Sequence, residues 1–246
     1  MQLRILHQDE NWLAVDKPAG IHVHPPVDSP HRIRHEENAM ALVREQLGQM
    51  VFPVHRLDRP TSGVLVFALN SEAAGSLAGQ FQNRTARKTY YTVVRGWIEE
   101  ATLLDRELDE GKASETLVTP LSHVELPFAS RPDFATSRFT LARCEPKTGR
   151  YHQIRRHLTG ISHPLIGDAI HGDSKQNRAF AKATGIPGLL LKAYQLELLN
   201  PTTGNPIVLT SRWTSPWHQV FDLFGVCPLH PGTSFKRKRR NPEAPR

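Results

Sequence analysis

The feature that most constrains the fold is a Pro-Thr-Ser-Gly turn at residues 60–63, which leads directly into an apolar run at residues 64–69. Turn residues followed by six apolar residues predict one buried strand. Asp58 precedes the turn and is therefore expected at the mouth of that strand. Arg56 and Arg59 flank it, and nearby guanidinium groups favour an ionised carboxylate. Such a group suits a nucleophile or a general base, and the alternative is a surface ion pair beside a turn.

A second informative stretch runs from Thr148 to Gly160. It contains a turn, about two turns of predicted helix and a closing glycine. Helical spacing predicts that Tyr151, Ile154 and Leu158 share one side and that Arg155 lies at the edge of this apolar stripe.

An arginine beside an apolar stripe needs a partner, and Asp58 is the candidate. A planar guanidinium can bind a carboxylate through two hydrogen bonds and hold it in one orientation. Spacing alone supports an alternative equally well, in which Arg150, Arg155 and Arg156 form a solvated or phosphate-contacting face.

Elsewhere the pattern mixes strands and helices. The stretch 101–133 is rich in proline, and we expect loops and edge strands there. Ser71 and Ser174 are predicted to cap helices that follow them. Strands are predicted at residues 3–7, 12–16, 88–98, 136–144, 189–198 and 207–210, and further helices at 36–47 and 215–224.

The strand predicted at residues 88–98 carries two adjacent tyrosines, Tyr90 and Tyr91. Neighbouring strand residues point to opposite faces, so one ring can face a site while the other packs inside. The alternative is that both rings lie in the core.

The formal charge of +7 favours a polyanionic partner, but its distribution is uneven. Residues 236–246 carry a net +5 and leave +2 for the other residues. Residues 233–246 are therefore predicted as a basic, flexible tail after a domain at residues 1–232. The two cysteines, Cys144 and Cys227, lie far apart in the sequence, which favours a reducing compartment over a disulfide framework. The sequence also shows no signal-peptide or membrane-spanning pattern. We therefore expect a cytoplasmic protein without membrane partners.

Several histidines follow Gly20, among them His22 and His24. Prolines follow His24 directly, and no carboxylate or thiolate joins the histidines at regular spacing. We therefore expect no metal site.

Four motifs, with KPAG at residues 17–20, resemble in order those of the RNA pseudouridine synthases of the large-subunit rRNA synthase A type. They are HRLDRPTSGVLVFALN at 55–70, KTYYTVVRG at 88–96, TGRYHQIRRHLTGISHPLIGD at 148–168 and LLLKAYQLELLNPTTG at 189–204. The resemblance implies an α+β fold with a mixed, mainly antiparallel sheet, flanking helices and a central cleft. Within the family, three segments are most similar to bacterial members that act on uridine-65 of tRNA: residues 55–64, 145–150 and 171–178.

The resemblance implies an isomerase that breaks the N1–C1′ bond of a uridine, turns the uracil and rejoins it through C5, without a cofactor or a metal. By resemblance, Asp58 is the catalytic aspartate and either attacks C1′ or assists glycal formation. Tyr90 would lie against the base and help to remove the C5 proton, and Arg155 would pair with Asp58.

The same resemblance assigns the substrate contacts. A stacked uridine must leave its stack before C1′ can be reached, and Arg56 would fill the gap. Ile154 and Leu191 would form walls around the base. Lys192 departs from the histidine that is common in relatives, and residues 105–123 match poorly. We expect no S4-like RNA-binding extension before the domain, so that a monomer would bind RNA through this domain alone or through the domain and its basic tail.

Two alternatives stay open at this stage. One is a pseudouridine synthase that acts on ribosomal RNA. The other is a non-catalytic protein on the same scaffold that binds tRNA and helps it to fold.

Overall fold

A large mixed sheet with helices on both faces forms the body of the protein in a computed structural model. The structure describes residues 1–25, 33–109, 111–129, 134–228 and 230–234. Its strands are β1 (Arg4–Gln8), β2 (Trp12–Lys17), β3 (Phe52–Pro53), β4 (Ser62–Ala68), β5 (Arg87–Arg95), β6 (Thr102–Asp105), β7 (Glu115–Leu126), β8 (Ser137–Pro146), β9 (Leu191–Leu199), β10 (Pro206–Thr210), β11 (Val226–Cys227) and β12 (His230–Ser234).

The helices lie between the strands in the chain and pack against the sheet. They are α1 (Ala39–Leu47), α2 (Ser71–Gln82), α3 (Gln153–Gly160), α4 (Ser174–Thr184) and α5 (Ser215–Phe224), with one short 3-10 helix at His35–Glu37.

The sheet has the strand order β1-β2-β4-β9-β5-β8-β7-β6, with β10 beside β9 and β3 beside β4. Among the described strands, β4 and β9 form the one parallel pair of the sheet, and the other pairs are antiparallel. This architecture confirms the predicted mixed, mainly antiparallel sheet with flanking helices. Strands β9 and β5 at its middle bring distant parts of the sequence together.

In one half of the sheet, alternate residues of a strand pack against helices on opposite faces. Leu65 belongs to a cluster with Leu42 of α1, whereas Val64 belongs to a cluster with Leu77 of α2. Side chains of the apolar run at residues 64–69 thus pack into two hydrophobic clusters, as expected for a strand that is covered on both faces.

In the other half, the same alternation separates α3 from α4 and α5. Val94 packs with Ile154 of α3, and Val93 packs with Phe180 of α4 and Trp217 of α5. Helix α3 is therefore fixed against the face of the sheet that also carries Tyr90.

Two predicted helix caps were wrong. Helix α2 is capped by Asn70, whose side chain accepts a hydrogen bond from the Ala73 N–H, and α4 is capped by Asp173. In the proline-rich stretch β6 is an edge strand, and β7 pairs with it only at residues 115–118, so Pro120 lies where β7 pairs with β8 alone. The register shift after Pro120 leaves Leu121 out of the ladder, and a strand tolerates proline at an edge or beside a bulge.

The end of the described chain forms a small second sheet from β11 and β12. Residues 235–246, most of the predicted tail, lie outside the described residues, so the domain boundary at residue 232 stays a prediction. No helix in the described ranges has the length and apolar character that a membrane span requires.

Candidate active site

The loop that carries Asp58 is held at the parallel junction of β4 and β9. Gly63 pairs with Ala193 there, and a Cβ on Gly63 would collide with the Ala193 backbone. Its φ of +128° also favours glycine. The Thr-Ser-Gly segment therefore lets the two strands approach closely and fixes the Asp58 loop beside β9.

Lys17 ties this loop to the KPAG segment. Its side chain is fully buried, and Nζ donates to the carbonyls of Pro18, Ile21 and Arg59 at 3.0, 2.8 and 3.2 Å. Burial lowers the pKa of Lys17 to about 7, although the charge of Asp58 opposes this shift. The lysine connects the two loops through backbone contacts.

His55 anchors the other end of the loop. Its Nε2 accepts a hydrogen bond of 3.0 Å from the Val66 N–H of β4, and its ring stacks on Phe81 of α2 with centroids 4.5 Å apart. Burial, followed by the charge of Lys88, lowers the pKa of His55 to about 3. A neutral imidazole can serve as this acceptor, whereas a protonated one cannot.

Arg155 contacts Asp58, its predicted partner, but through one hydrogen bond instead of the expected two. Its guanidinium lies on α3 with 2% of the residue exposed, and Nη1 donates to Oδ2 of Asp58 at 3.1 Å. Arg59 instead donates to the Gly20 carbonyl, and Arg56 lies 5.9 Å from the ring centroid of Tyr151. The guanidinium that contacts Asp58 thus comes from about a hundred residues away, not from the flanking arginines.

Asp168 is the second partner of Arg155, and no sequence pattern indicated this contact. Arg155 donates from Nε to Oδ2 and from Nη2 to Oδ1 of Asp168, both at 2.7 Å. Oδ1 also accepts from the N–H groups of Ile170 and His171. A guanidinium has five donors, so a buried arginine next to one half-exposed carboxylate was a signal for a second acceptor.

Arg155 and Asp168 each stabilise the charged form of the other. Burial lowers the pKa of Arg155, but hydrogen bonds and charge from Asp168 and Asp58 outweigh burial, and the net shift is upward. Burial likewise raises the pKa of Asp168, and its hydrogen bonds from Arg155 and the backbone bring the net shift downward. Both groups are therefore charged at neutral pH.

Asp58 opens onto a cavity of about 520 Å³. Tyr90, Ile154 and Leu191 line it, as do Arg56, Arg84, Lys88, Arg150 and Arg155. Every predicted site residue thus borders one cavity, which is large enough for a nucleotide.

Tyr90 and Tyr91 lie on opposite faces of β5. Tyr90 borders the cavity, while Tyr91 packs edge-on against Tyr194 and Trp213. Burial, aided by the charge of Asp58, raises the pKa of Tyr90. Its hydroxyl is therefore protonated at neutral pH.

Tyr151 was placed wrongly on the apolar stripe. It precedes α3 and is 55% exposed, because His152 takes a left-handed conformation with φ 50° and separates it from the helix. Ile154 and Leu158 are buried as predicted.

Lys192 lies on the strand that borders the Asp58 loop. It is fully buried, and its Nζ lies 4.0 Å from Oδ1 of Asp16. Burial lowers the pKa of Lys192, and Asp16 opposes that shift.

Within the described ranges, no three His, Cys, Asp or Glu side chains come together as a metal-ion site.

Comparisons with known proteins agree with this geometry. The family model described as RNA pseudouridylate synthase matches residues 11–159. The chain is 43% identical over 238 residues to tRNA pseudouridine synthase C of Vibrio cholerae, covering 91% of this chain and 96% of that protein. It is 42% identical over 245 residues to tRNA pseudouridine synthase C of Yersinia pestis, covering 93% of each.

Solved structures show the same fold. Human RNA Pseudouridylate Synthase Domain Containing 1 superposes with a TM-score of 0.66 and 24% identity, over 86% of this chain and 84% of that one. Human RNA Pseudouridylate Synthase Domain Containing 4 also gives 0.66, with 23% identity, over 90% of this chain and 92% of that one. The match to the family model and the identity to the two tRNA pseudouridine synthases C show that the chain belongs to the RNA pseudouridylate synthase family and is an enzyme of that class.

Proposed function

We propose that this enzyme converts uridine-65 of tRNA to pseudouridine, with Asp58 as the catalytic carboxylate. The observation that carries the proposal is the Asp58–Arg155 contact at the base of a nucleotide-sized cavity. The relatives named above, tRNA pseudouridine synthases C, match over nearly the whole chain and support tRNA as the substrate.

Asp58 is held through one oxygen and leaves the other for chemistry. Arg155 contacts Oδ2, and among the described residues Oδ1 has no hydrogen-bond partner. Asp58 lines the cavity, and its second carboxylate oxygen can attack C1′ of the ribose, or it can assist departure of the uracil through a glycal. Either route breaks the N1–C1′ bond and lets the uracil turn so that C5 joins C1′.

The detached uracil needs an apolar enclosure in which to turn. Ile154 and Leu191 are both buried and line the cavity, so they would form its walls. Tyr90 would lie against the base. Because its phenol is protonated, the hydroxyl oxygen would accept the C5 proton while its own proton passes to water in the cavity, and no phenolate would form.

The lining of the cavity suits an RNA backbone. It carries five Lys or Arg side chains against the single carboxylate of Asp58. Arg155 is already bound to Asp58 and Asp168, and phosphate contacts by the other four would position an RNA without reading its sequence. Lys88 is part of this set, and burial, with the charge of Arg84, lowers its pKa to about 8. A nearby phosphate would favour its charged form.

Arg56 is exposed at the cavity and adjoins the catalytic loop. Moving a uridine out of its stack costs a few kcal/mol, and a side chain that fills the vacated space offsets part of that cost. We assign this role to Arg56. A monomeric state and a cytoplasmic location stay predictions.

Mapping pseudouridines in tRNA and rRNA from cells that lack the protein tests the proposal. We expect pseudouridine at tRNA position 65 to disappear and to return with the wild-type gene but not with Asp58→Ala. If pseudouridine were lost only from rRNA, the substrate would be rRNA and the proposal would be wrong. Restoration by Asp58→Ala would instead favour a non-catalytic folding role.

A further inference from the structure

Two histidines beside the catalytic carboxylate have no part in the chemistry described above. Nδ1 of His152 and Nε2 of His171 are 2.9 Å apart, with the rings nearly perpendicular at 87°. The other ring nitrogen of His152, Nε2, lies 3.8 Å from Oδ2 of Asp58. His171, His152 and Asp58 therefore form a connected row, which we call the histidine row.

His152 is held firmly in this position. It is 8% exposed and its ring stacks on Tyr151 with centroids 3.7 Å apart. Its backbone is left-handed, with φ 50° and ψ 31°. Non-glycine residues adopt this conformation at a cost, and such strain persists where the surroundings demand it. Here the conformation directs the imidazole towards Asp58 at the start of α3.

His171 is positioned by the same aspartate that holds Arg155. Its N–H donates to Oδ1 of Asp168 at 3.0 Å, and its carbonyl accepts from Thr159 at 3.0 Å. Asp168 therefore organises both groups that face Oδ2 of Asp58, Arg155 directly and His152 through His171.

The charge of Asp58 decides the direction of the hydrogen bond between the histidines. Burial lowers the pKa of His152 to about 4 and also lowers that of His171, so both rings are neutral at neutral pH. If His152 donated from Nδ1, a lone pair on Nε2 would face the carboxylate. If His171 donates, His152 carries its hydrogen on Nε2 and presents a donor to Asp58.

We propose that His152 is a positioning residue that presents an N–H to Oδ2 of Asp58, and that His171 fixes its tautomer and ring orientation. This inference rests on the proposed function. With Arg155, His152 would hold the carboxylate in one rotamer, and the 3.8 Å separation would shorten when RNA closes the cavity.

The test compares variants that keep or remove the donor of His171. His171→Gln places an amide N–H near the position of Nε2, whereas His171→Phe fills the space without a donor. His163→Phe is the matched control, because His163 is also half-buried and its Nδ1 contacts the Arg95 carbonyl. His171→Leu removes the donor without adding volume and replaces His171→Phe if that variant unfolds.

The substrate is unmodified tRNA carrying tritium at C5 of its uridines. Tritium release reports the exchange at C5 at any position, so it does not depend on the assignment of uridine-65. We expect His171→Phe to lower kcat about tenfold or more with KM within about twofold, since nothing then fixes the tautomer and ring orientation in which His152 presents an N–H to the charged Asp58. His171→Gln should stay within about threefold of wild type, and His163→Phe should match wild type.

Unchanged kcat in His171→Phe would overturn the inference, as would an equal loss in His171→Gln. A loss accompanied by weaker tRNA binding and a lower thermal midpoint would show a merely structural role and would also overturn it. No release by the wild-type enzyme would overturn the proposed function, and the inference with it.

Discussion

Asp168 binds Arg155 through two hydrogen bonds of 2.7 Å, from Nε to Oδ2 and from Nη2 to Oδ1. This bidentate contact leaves Nη1 directed at Asp58, 3.1 Å from Oδ2. The Asp58 carboxylate is thus oriented by a cation that is itself fixed by a second, buried carboxylate. Arg155 keeps a charged partner even when Asp58 is engaged with substrate.

We predict that Asp168→Asn destabilises the protein and slows catalysis. It keeps the shape of the side chain but leaves Arg155 with a buried charge and one half-exposed partner, a loss of about 3–5 kcal/mol in the free energy of unfolding. Urea denaturation measures this change. Glu115→Gln is the control, because its contact with Lys147 lies at the surface and should leave the urea midpoint unchanged. A midpoint for Asp168→Asn equal to that of wild type would contradict the prediction.

Gly63→Ala should destabilise the protein by about 2 kcal/mol or more. Its Cβ would collide with the Ala193 backbone, and its φ of +128° is strained for alanine. Gly75→Ala is the matched control, because Gly75 lies in α2 with open space around it and should stabilise by about 0.5–1 kcal/mol. Thermal or urea denaturation of both variants distinguishes them. Equal effects would refute the close-approach argument.

Tyr90→Phe should retain tRNA affinity within about twofold and slow tritium release by about a hundredfold, because it keeps the ring and removes the hydroxyl. Tyr91→Phe is the control, since that ring packs on the opposite face of β5 against Tyr194. We expect its rate to match wild type. An unchanged rate of tritium release in Tyr90→Phe would show that the hydroxyl takes no part in the reaction.

The free energy of unfolding should fall as the pH falls from about 6.5 towards 3, in part because of His55. Its pKa in the folded protein is about 3, below the ordinary value of about 6.5, so the unfolded chain binds the proton first. The stability from neutral His55 is therefore complete above about pH 6.5 and is lost as the pH falls. Its slope is up to about 1.4 kcal/mol per pH unit for one proton.

His55→Gln should flatten this slope between pH 4 and 6, a window of about 2 pH units set by the pKa shift of His55. His218→Gln, at an exposed position of α5, should leave it unchanged. Urea denaturation at several pH values measures both. An identical slope in wild type and His55→Gln would show that His55 does not contribute.

Strong local patterns predicted most of the fold. The apolar run at residues 64–69 forms most of strand β4, and α1 ends at Leu47, as predicted, before the left-handed Gly48. The prediction chose Ser71 as the cap of α2, but the preceding Asn70 is an equally good capping residue and forms the cap in the structure. Tyr151 was misplaced because sequence spacing does not show that His152 interrupts the helix.

Site residues that lie within a strong sequence motif could be predicted. Asp58 and Arg155 stand in strong motifs, and the structure brings them into contact. Asp168 follows an apolar segment with no periodic signal, and its role depends on the tertiary path of the loop after α3. The two histidines of the histidine row were missed for the same reason, since their contact crosses 19 residues of chain.

The most direct test of the central claim is single-turnover formation of pseudouridine at tRNA position 65 by Asp58→Asn. Arg155 keeps Asp168 as its partner in this variant, so the fold and tRNA affinity should persist. We predict a rate about 10⁴-fold or more below wild type, the scale seen when a catalytic group is removed. A variant that binds tRNA and retains more than about a tenth of the wild-type rate, a barrier change below about 1.4 kcal/mol, would contradict the account.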